Sequence, residues 1–364
     1  MKAGVIGCGN ISGAYLKHAR TFEHLEIVAC ADIVPEAAEA KAKEFGIRAE
    51  SVDALFADPE IGVVLNLTTP QSHTEIDLRA LESGKHVYSE KPFGLDRESG
   101  RKVLELAKAK NLRVGCAPDT FLGGGHQTCR KLIDDGLLGR ITSGTAFMMI
   151  HGHESWHPAP AFYYKKGGGP LFDMGPYYIT SLIDMLGPVK RVCALCNRAE
   201  DVRTGVKVNV GKTFPVEIDT NVSALLEFAS GAIVTLITSF DIWKTSGYQD
   251  IELYGTKGAM HVPDPNCFGG DVRLFSGNLT SDWAMMDNHF IYNDNMRGIG
   301  LADMCAAIET GRAHRCSGEL AFHVLDVMAS IIQSSEEGRF IELESTCARP
   351  AALPLGLKDG RVDL

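Results

Sequence analysis

Several groups of residues in this chain are of types that do chemistry, and their spacing says what kind. The turn Gly7-Cys8-Gly9-Asn10-Ile11-Ser12 directly follows a short apolar run, Ala3–Ile6. Gly7 permits a tight turn, Gly9 lets the backbone approach a pyrophosphate, and the small Ser12 lets the next helix pack close to the strand. The unpaired N–H groups at that helix start would face the phosphates, with Asn10 and Ile11 at the tip of the turn. Asp32 closes the second apolar run about 20 residues later, where a carboxylate accepts hydrogen bonds from the adenine ribose. That carboxylate repels a 2′-phosphate, and the next residue is Ile33 rather than a cation. NAD is therefore expected over NADP. A ligand-free glycine turn and a surface acid are the competing readings.

Two further strand ends carry polar groups. Val63–Leu67 runs into Thr68, Thr69, Pro70 and His73. This puts hydroxyls and a helix start at the carboxyl edge of a sheet, where open α/β folds bind ligands. His73 reads equally as a ligand contact or an exposed helix residue. His86–Tyr88 runs into Glu90-Lys91-Pro92. An ammonium at that edge would sit beside a nicotinamide and could polarise a carbonyl or relay a proton. A solvated turn lysine is the alternative.

The second half offers His151, His153 and His157 around Trp156. His151 and His153 would share one face of a strand. A zinc site needs three or four such ligands, so no metal is expected. His153, Trp156 and His157 are instead expected to line a substrate pocket, where imidazole and indole suit hydroxyls and the apolar face of a ring. Cys193 and Cys196 fall three apart in a strand pattern, on opposite faces, and neither a redox pair nor a zinc half-site is expected. Asn295, Arg297 and Asp303 stand by a late helix; Arg297 could reach the pocket, and a surface role is the expected one.

The elements that must position these residues alternate in the first 120 positions. Apolar runs alternate with helical patterns at Tyr15–Arg20, Pro35–Phe45, Glu75–Leu81 and Arg97–Lys108, which argues for βαβ units and a parallel sheet. After Pro118 a glycine-led helix carries Cys129 and Leu132, and a strand follows at Ile141–His151. Asp173–Leu186 reads as a helix that opens with its acid. Strands are expected at Arg191–Asn197, Val216–Phe228, Ala232–Phe240, Ile251–Tyr254, Gly258–Val262 and Val272–Phe275, then helices at Ile299–Glu309 and Gly318–Ser334. The expected architecture is an α/β Rossmann dinucleotide-binding domain over 1–120. An α+β domain with a large open, mostly antiparallel sheet follows over 121–364, for substrate binding and oligomerisation.

Composition agrees with such a molecule. The chain has 364 residues, 45% hydrophobic and 23% charged, with a net charge of −10. That acidity excludes a non-specific nucleic-acid binder. No apolar stretch is long enough to span a bilayer, and no membrane partner is expected. The 10 cysteines are scattered through a chain large enough to need no staples, so reduced thiols and the cytoplasm are expected.

The motifs taken together resemble a known family. Gly-x-Gly-x-x-Ser, Thr69-Pro70-x-x-His73 and Glu90-Lys91-Pro92, in that order, are similar to the glucose–fructose oxidoreductase and inositol dehydrogenase family. Gly167-Gly168-Gly169-Pro170-Leu171-Phe172-Asp173-Met174-Gly175-Pro176-Tyr177 resembles the family's glycine-run and Asp-x-Gly-x-His segment. The resemblance implies hydride transfer between NAD(P) and a sugar, cyclic polyol or keto form. It also implies a homodimer or homotetramer formed through the open sheet. It maps the family's catalytic lysine onto Lys91 and its aspartate onto Asp173. The family's histidine position holds Tyr177. A phenol has a reference pKa of about 10, so it needs help to exchange protons near neutrality. Lys91 and the NAD ring are expected to lower that value; otherwise Tyr177 only packs, and Lys91 or one of the nearby histidines moves the proton. A non-redox enzyme working by transient oxidation, and a non-catalytic dinucleotide-dependent regulator, are the alternatives.

Overall fold

Strands that are apolar on both faces can only be buried on both faces, and the N-terminal third builds a sheet of that kind. The computed structural model describes residues 1–207, 209–247, 250–277 and 281–364. Its first sheet contains β1 (Lys2–Ile6), β2 (Glu26–Ala31), β3 (Arg48–Glu50), β4 (Val63–Asn66), β5 (His86–Ser89) and β6 (Val114–Cys116). The order is β3-β2-β1-β4-β5-β6, with every pairing parallel. Order reverses between β1 and β4, so a crevice opens beyond their carboxyl ends. The connecting helices are α1 (Ser12–His18), α2 (Pro35–Phe45), α3 (Val52–Ala57), α4 (His73–Glu82) and α5 (Arg97–Lys110). Their ends follow local rules: Pro35 occupies the first turn of α2, Asp96 and Ser99 cap α5 reciprocally, and left-handed Gly46 stops α2.

The rest of the chain adds α6 (Gly124–Asp134), β7 (Ile141–Met149), α7 (Gly169–Leu186), β8 (Val189–Asn197), β9 (Val202–Thr204) and β10 (Thr213–Pro215). Then come β11 (Asn221–Phe228), β12 (Ile233–Ser239), β13 (Ile251–Gly255), β14 (Gly258–Val262), β15 (Val272–Ser276) and β16 (Ala284–Met286). The chain closes with α8 (Ile299–Thr310), α9 (Gly318–Glu337) and β17 (Ile341–Glu342). Nine of these strands form the second sheet, ordered β16-β15-β14-β13-β7-β12-β11-β8-β17. Among the described pairings only β7–β12 is parallel. One face packs against α6, α7 and α9. The other is open: Leu195 is 74% exposed, Leu225 44% and Ile233 49%. Helices α8 and α9 return to the first sheet, where α8 meets β6 and α9 packs on both α5 and β6 while also covering β8.

Four local expectations change. The strand through His151 ends at Met149, and His151 makes only an isolated bridge to Asp241. His151 and His153 therefore share no strand face. Helix α7 begins at Gly169, with Pro170 in its first turn, so Asp173 sits in the second turn rather than at the cap. The strand expected from Val216 begins at Asn221. The short β3, α3 and the β9–β10 hairpin carry too few residues to display a period, and sequence reading passes over them.

Beneath the crevice lies a buried polar pair. The Asn66 amide donates to Asp77 Oδ1 at 2.8 Å. Burial pushes the Asp77 carboxyl up to about 7, against the opposing pull of Asn66 and Ser89. A raised folded-state value means that the native protein holds this proton after the unfolded chain has released it. The stabilisation from this group is complete below about pH 4 and is lost as pH rises towards 7. Urea unfolding at pH 5 and pH 8 should show part of this loss, and Asp77→Asn should shrink the difference between the two pH values.

Candidate active site

The turn after β1 is built by steric necessity. Gly7 has φ +103°, and a Cβ there would lie 2.6 Å from the Leu67 backbone carbon. At Gly9 a Cβ would meet nothing within 4 Å, so the first turn of α1 opens onto free space. Ser12 is fully buried, and its hydroxyl donates to the Gly9 carbonyl at 2.7 Å. Asp32 Oδ2 accepts from the Cys8 amide at 2.7 Å, and Oδ1 from the Val34 amide at 2.9 Å. The carboxylate is held at the end of β2 with lone pairs to spare. Ile33 beside it is 93% exposed. These features fit a dinucleotide: bare backbone where the pyrophosphate must approach, and a fixed acceptor where the ribose must lie.

Asn66, level with Ile6 at the end of β4, organises the next loop. Its Oδ1 accepts from the Thr68 amide and hydroxyl at 3.2 and 2.7 Å. Thr68, Thr69 and Pro70 line the cleft beyond, as do Asn10 and Ile11. His73 does not. It is 1% exposed, and its two ring nitrogens face the carbonyls of Pro92 (2.9 Å) and Thr68 (3.0 Å). Buried rather than exposed, it ties the loop after β4 to the loop after β5, because the first residue of α4 faces inward. Glu90 is also spoken for: its carboxylate accepts from Tyr15 Oη at 2.7 Å and from the Lys91 amide at 3.0 Å.

Lys91 reaches across to α7. Its Nζ donates to Asp173 Oδ1 at 2.8 Å and to the Asp173 carbonyl at 2.7 Å. Burial works against the ammonium, but Asp173, Tyr177 and Glu90 outweigh it and hold Lys91 above its usual value. Burial likewise disfavours the Asp173 carboxylate, yet Lys91 and His153 hold it well below the usual range. His153 Nε2 lies 3.3 Å from Asp173 Oδ2, on the side away from Lys91. The imidazole is buried and packs at a tilt on Tyr163, with ring centres 3.9 Å apart. It stands behind Asp173 and is not among the residues lining the cleft.

Tyr177, one helical turn after Asp173, faces the same ammonium, with Lys91 Nζ 5.2 Å from its ring centre. Burial raises its pKa, and Lys91 and Arg297 offset this only in part. The expectation that Lys91 pulls the phenol below its ordinary value therefore fails for the protein alone, because desolvation is the larger effect. Arg297 is not the surface residue expected. It is half-buried, its charge helps to lower the pKa of the Tyr177 phenol, and its guanidinium donates to Asn266 Oδ1 at 2.8 Å. A residue from outside the recognised motifs thus brings its charge near Tyr177, which the sequence does not announce.

The cleft, about 350 Å³, is closed on one side by an aromatic lip. Trp156, His157, Phe162 and Tyr163 line it, and His157 stands edge-on to both Trp156 and Phe162. Under the lip, Glu154 receives hydrogen bonds from Tyr164 and from Arg203 Nη1, the latter at 2.8 Å, and Arg203 also pairs with Asp241. His151 stacks on Trp243 and points towards Glu154. His151 and His153 thus turn towards different partners, and among the described residues no cluster of three or more His, Cys, Asp or Glu could hold a metal.

Comparison with known proteins fits this geometry. Residues 1–117 match the oxidoreductase family model with an NAD-binding Rossmann fold, and residues 126–261 match the GFO/IDH/MocA C-terminal domain. The chain belongs to the GFO/IDH/MocA oxidoreductase family. Inositol 2-dehydrogenase of Rhizobium meliloti is 26% identical over 345 residues, covering 94% of this chain and 99% of that protein. 1,5-Anhydro-D-fructose reductase of Ensifer adhaerens is 25% identical, covering 94% and 98%. Levoglucosan dehydrogenase in complex with NADH and L-sorbose shares the fold, with a TM-score of 0.80 at 21% identity, covering 95% and 99%. This family member is an oxidoreductase with an NAD-binding domain, and among its described residues no helix is long and apolar enough to cross a membrane.

Removing the fixed acceptor at the ribose should be felt by one cofactor more than the other. Hydrogen bonds to a charged group contribute about 1.5–3 kcal/mol, or about ten- to a hundredfold in affinity. Asp32→Ala should weaken NAD binding by that factor in a fluorescence titration and leave NADP binding equal or improved.

Proposed function

We propose that this protein moves a hydride between NAD and a hydroxyl-bearing carbon of a sugar, a cyclic polyol or the matching keto compound. The reading rests on one observation: the half-buried Lys91–Asp173 pair stands in a cleft beside the dinucleotide turn. The names of the relatives support the substrate class, since they act on inositol, levoglucosan and an anhydro-sugar.

NAD, when bound, supplies the hydride chemistry at its nicotinamide ring. The chain supplies position and field. Lys91, held as a cation by Asp173, points at the substrate oxygen and stabilises negative charge that develops there. Its raised pKa makes it an electrostatic group rather than a free base. Tyr177 handles the proton. Asp173 fixes the ammonium, and His153 fixes Asp173 from behind. Trp156 and His157 meet the sugar directly, whereas His153 acts through the carboxylate. NAD is used in preference to NADP. A pure sensor would have no need of the charged pair in the cleft.

The working protein is a homodimer or homotetramer formed through the open sheet, which exposes Leu195, Leu225 and Ile233. All ten cysteines are free thiols, in keeping with a reducing compartment such as the cytoplasm. Leu195→Glu together with Leu225→Glu should lower the sedimenting mass to that of a monomer.

A panel of sugars and inositols, each with NAD and with NADP and followed by cofactor absorbance, tests the activity. General acid–base and electrostatic groups of this kind are worth about 10²–10⁴-fold. Lys91→Ala should lose turnover by that factor while keeping NAD affinity within about threefold. Near-normal turnover by Lys91→Ala would end this reading of the cleft.

A further inference from the structure

We propose that the substrate is an uncharged glycoside, with its reacting sugar ring beside Lys91 and a second ring, sugar or aryl, stacked on Trp156 and Phe162 at the rim of the cleft. The inference rests on the hydride-transfer reading above and narrows its substrate class. Its first basis is space. The cleft, about 350 Å³, lies near the small end of ligand sites, which run from about 300 to 1,000 Å³. The nicotinamide and one sugar ring share that volume, so whatever else a substrate carries emerges at the lip. There the lining side chains are also solvent-facing ones: Trp156 is 56% exposed and Phe162 41%. Large aromatic rings left partly in water at the mouth of a cleft present an apolar face to anything covalently continuous with the reacting ring.

The rim is set before a ligand arrives. The amides of Trp156 and His157 both donate to the His153 carbonyl, at 3.2 and 2.9 Å. His157 stands edge-on to both outer rings, with its centre 5.2 Å from that of Trp156 and 5.4 Å from that of Phe162. Its Nδ1 accepts from the Ala159 amide at 3.0 Å, so the neutral ring carries its hydrogen on Nε2. Burial holds the His157 pKa below its usual value, which keeps the ring neutral at pH 7. Among the described residues Nε2 has no partner, and His157 lines the cleft. One N–H flanked by two aromatic rings suits the ether or hydroxyl oxygens between two rings of a glycoside.

Charge excludes the other sugar classes. Among the described residues that line the cleft, the charged ones are Glu90, Lys91 and Asp173. Lys91 pairs with Asp173 at 2.8 Å, and Glu90 accepts from Tyr15 Oη and from the Lys91 amide. Arg297 is not among the lining residues and donates to Asn266 and Asn295 at 2.8 and 3.2 Å. Lys166, beside the lip, is exposed and lies 3.7 Å from Asp96. Carboxylates and phosphates are recognised by Arg or Lys groups free to pair with them. Beyond the dinucleotide turn this cleft offers no such cation, so a sugar acid or sugar phosphate would meet a wall with no counter-charge. Hydroxyls and apolar ring faces are what it fits.

The experiment offers the NAD-loaded protein each sugar of the panel as methyl glycoside, phenyl glycoside, disaccharide and the matching uronic acid glycoside. The phenyl glycoside, the disaccharide or both should exceed the methyl glycoside at least about tenfold in kcat/KM, chiefly through KM, and the two arms tell an aryl group from a second sugar. The uronic acid form should be at least about tenfold poorer than its neutral parent. Trp156→Ala and Phe162→Ala should each bring the two-ring preference to within about threefold of unity, whereas a rim that merely orders its loop would lower all glycosides alike. A second readout needs no turnover. The fluorescence of Trp156, taken as the difference between the protein and Trp156→Phe, should report the two-ring ligand binding at least about tenfold tighter than the methyl glycoside. Equal kcat/KM for one-ring and two-ring glycosides, a preference for the acidic form, turnover of inositols alone, or a Trp156 shielded from acrylamide by a second copy of the chain would overturn the proposal and leave hydride transfer standing. No turnover of any sugar, with Trp156 still reporting the two-ring ligand, would sink the hydride-transfer reading and leave the rim site standing.

Discussion

One ion pair joins the two halves of this molecule at the cleft proposed as the active site. Lys91 belongs to the loop after β5, and Asp173 to a helix that packs on the second sheet. Both groups are half-buried, and desolvation works against each charge. The ammonium needs the carboxylate to offset its desolvation, and the carboxylate needs the ammonium and His153 for the same reason. Breaking a buried pair by removing one partner is strongly destabilising, since it strands the other charge. The pair therefore also ties α7 to the loop after β5 across the cleft.

Around that pair the polar groups are arranged as supports behind supports. Asn66 holds Thr68, His73 joins the two loops, Tyr15 and the Lys91 amide occupy Glu90, and His153 backs Asp173. Each is buried or half-buried with a stated partner. Beyond the dinucleotide turn, Asp32 and the loop after β4, the cleft is lined by Lys91, Tyr177 and the aromatic lip. Preorganisation of this sort keeps the reacting groups from spending energy on reorientation when charge develops.

What the sequence announces and what it hides follow from the range of the forces involved. The Gly7–Ser12 turn and Asp32 are legible because a tight turn, a close backbone approach and an acceptor at a strand end are local demands. The first sheet is legible because strands buried on both faces must be continuously apolar. Lys91, Asp173 and Tyr177 come from recognised motifs rather than from periodicity. Arg297 and His73 are misjudged because burial is decided by distant chain, and no local pattern tells an arginine before a helix that Tyr177 will stand opposite. The strand through His151 is drawn too long because alternation continues past Met149, where the regular ladder gives way to single backbone hydrogen bonds and an isolated bridge. Asp173 is read as a cap because Pro170 and three glycines hide the helix start upstream.

The salt-bridged foundation beneath the aromatic lip separates two jobs that many binding loops combine. Glu154, Arg203, Asp241 and Tyr164 set the course of the chain from below, while Trp156 and Phe162 look outward from it, 56% and 41% exposed. Exchanging an outward ring for another side chain leaves the anchor untouched. Substrate preference in such a protein can drift by single changes at the rim without renegotiating the backbone.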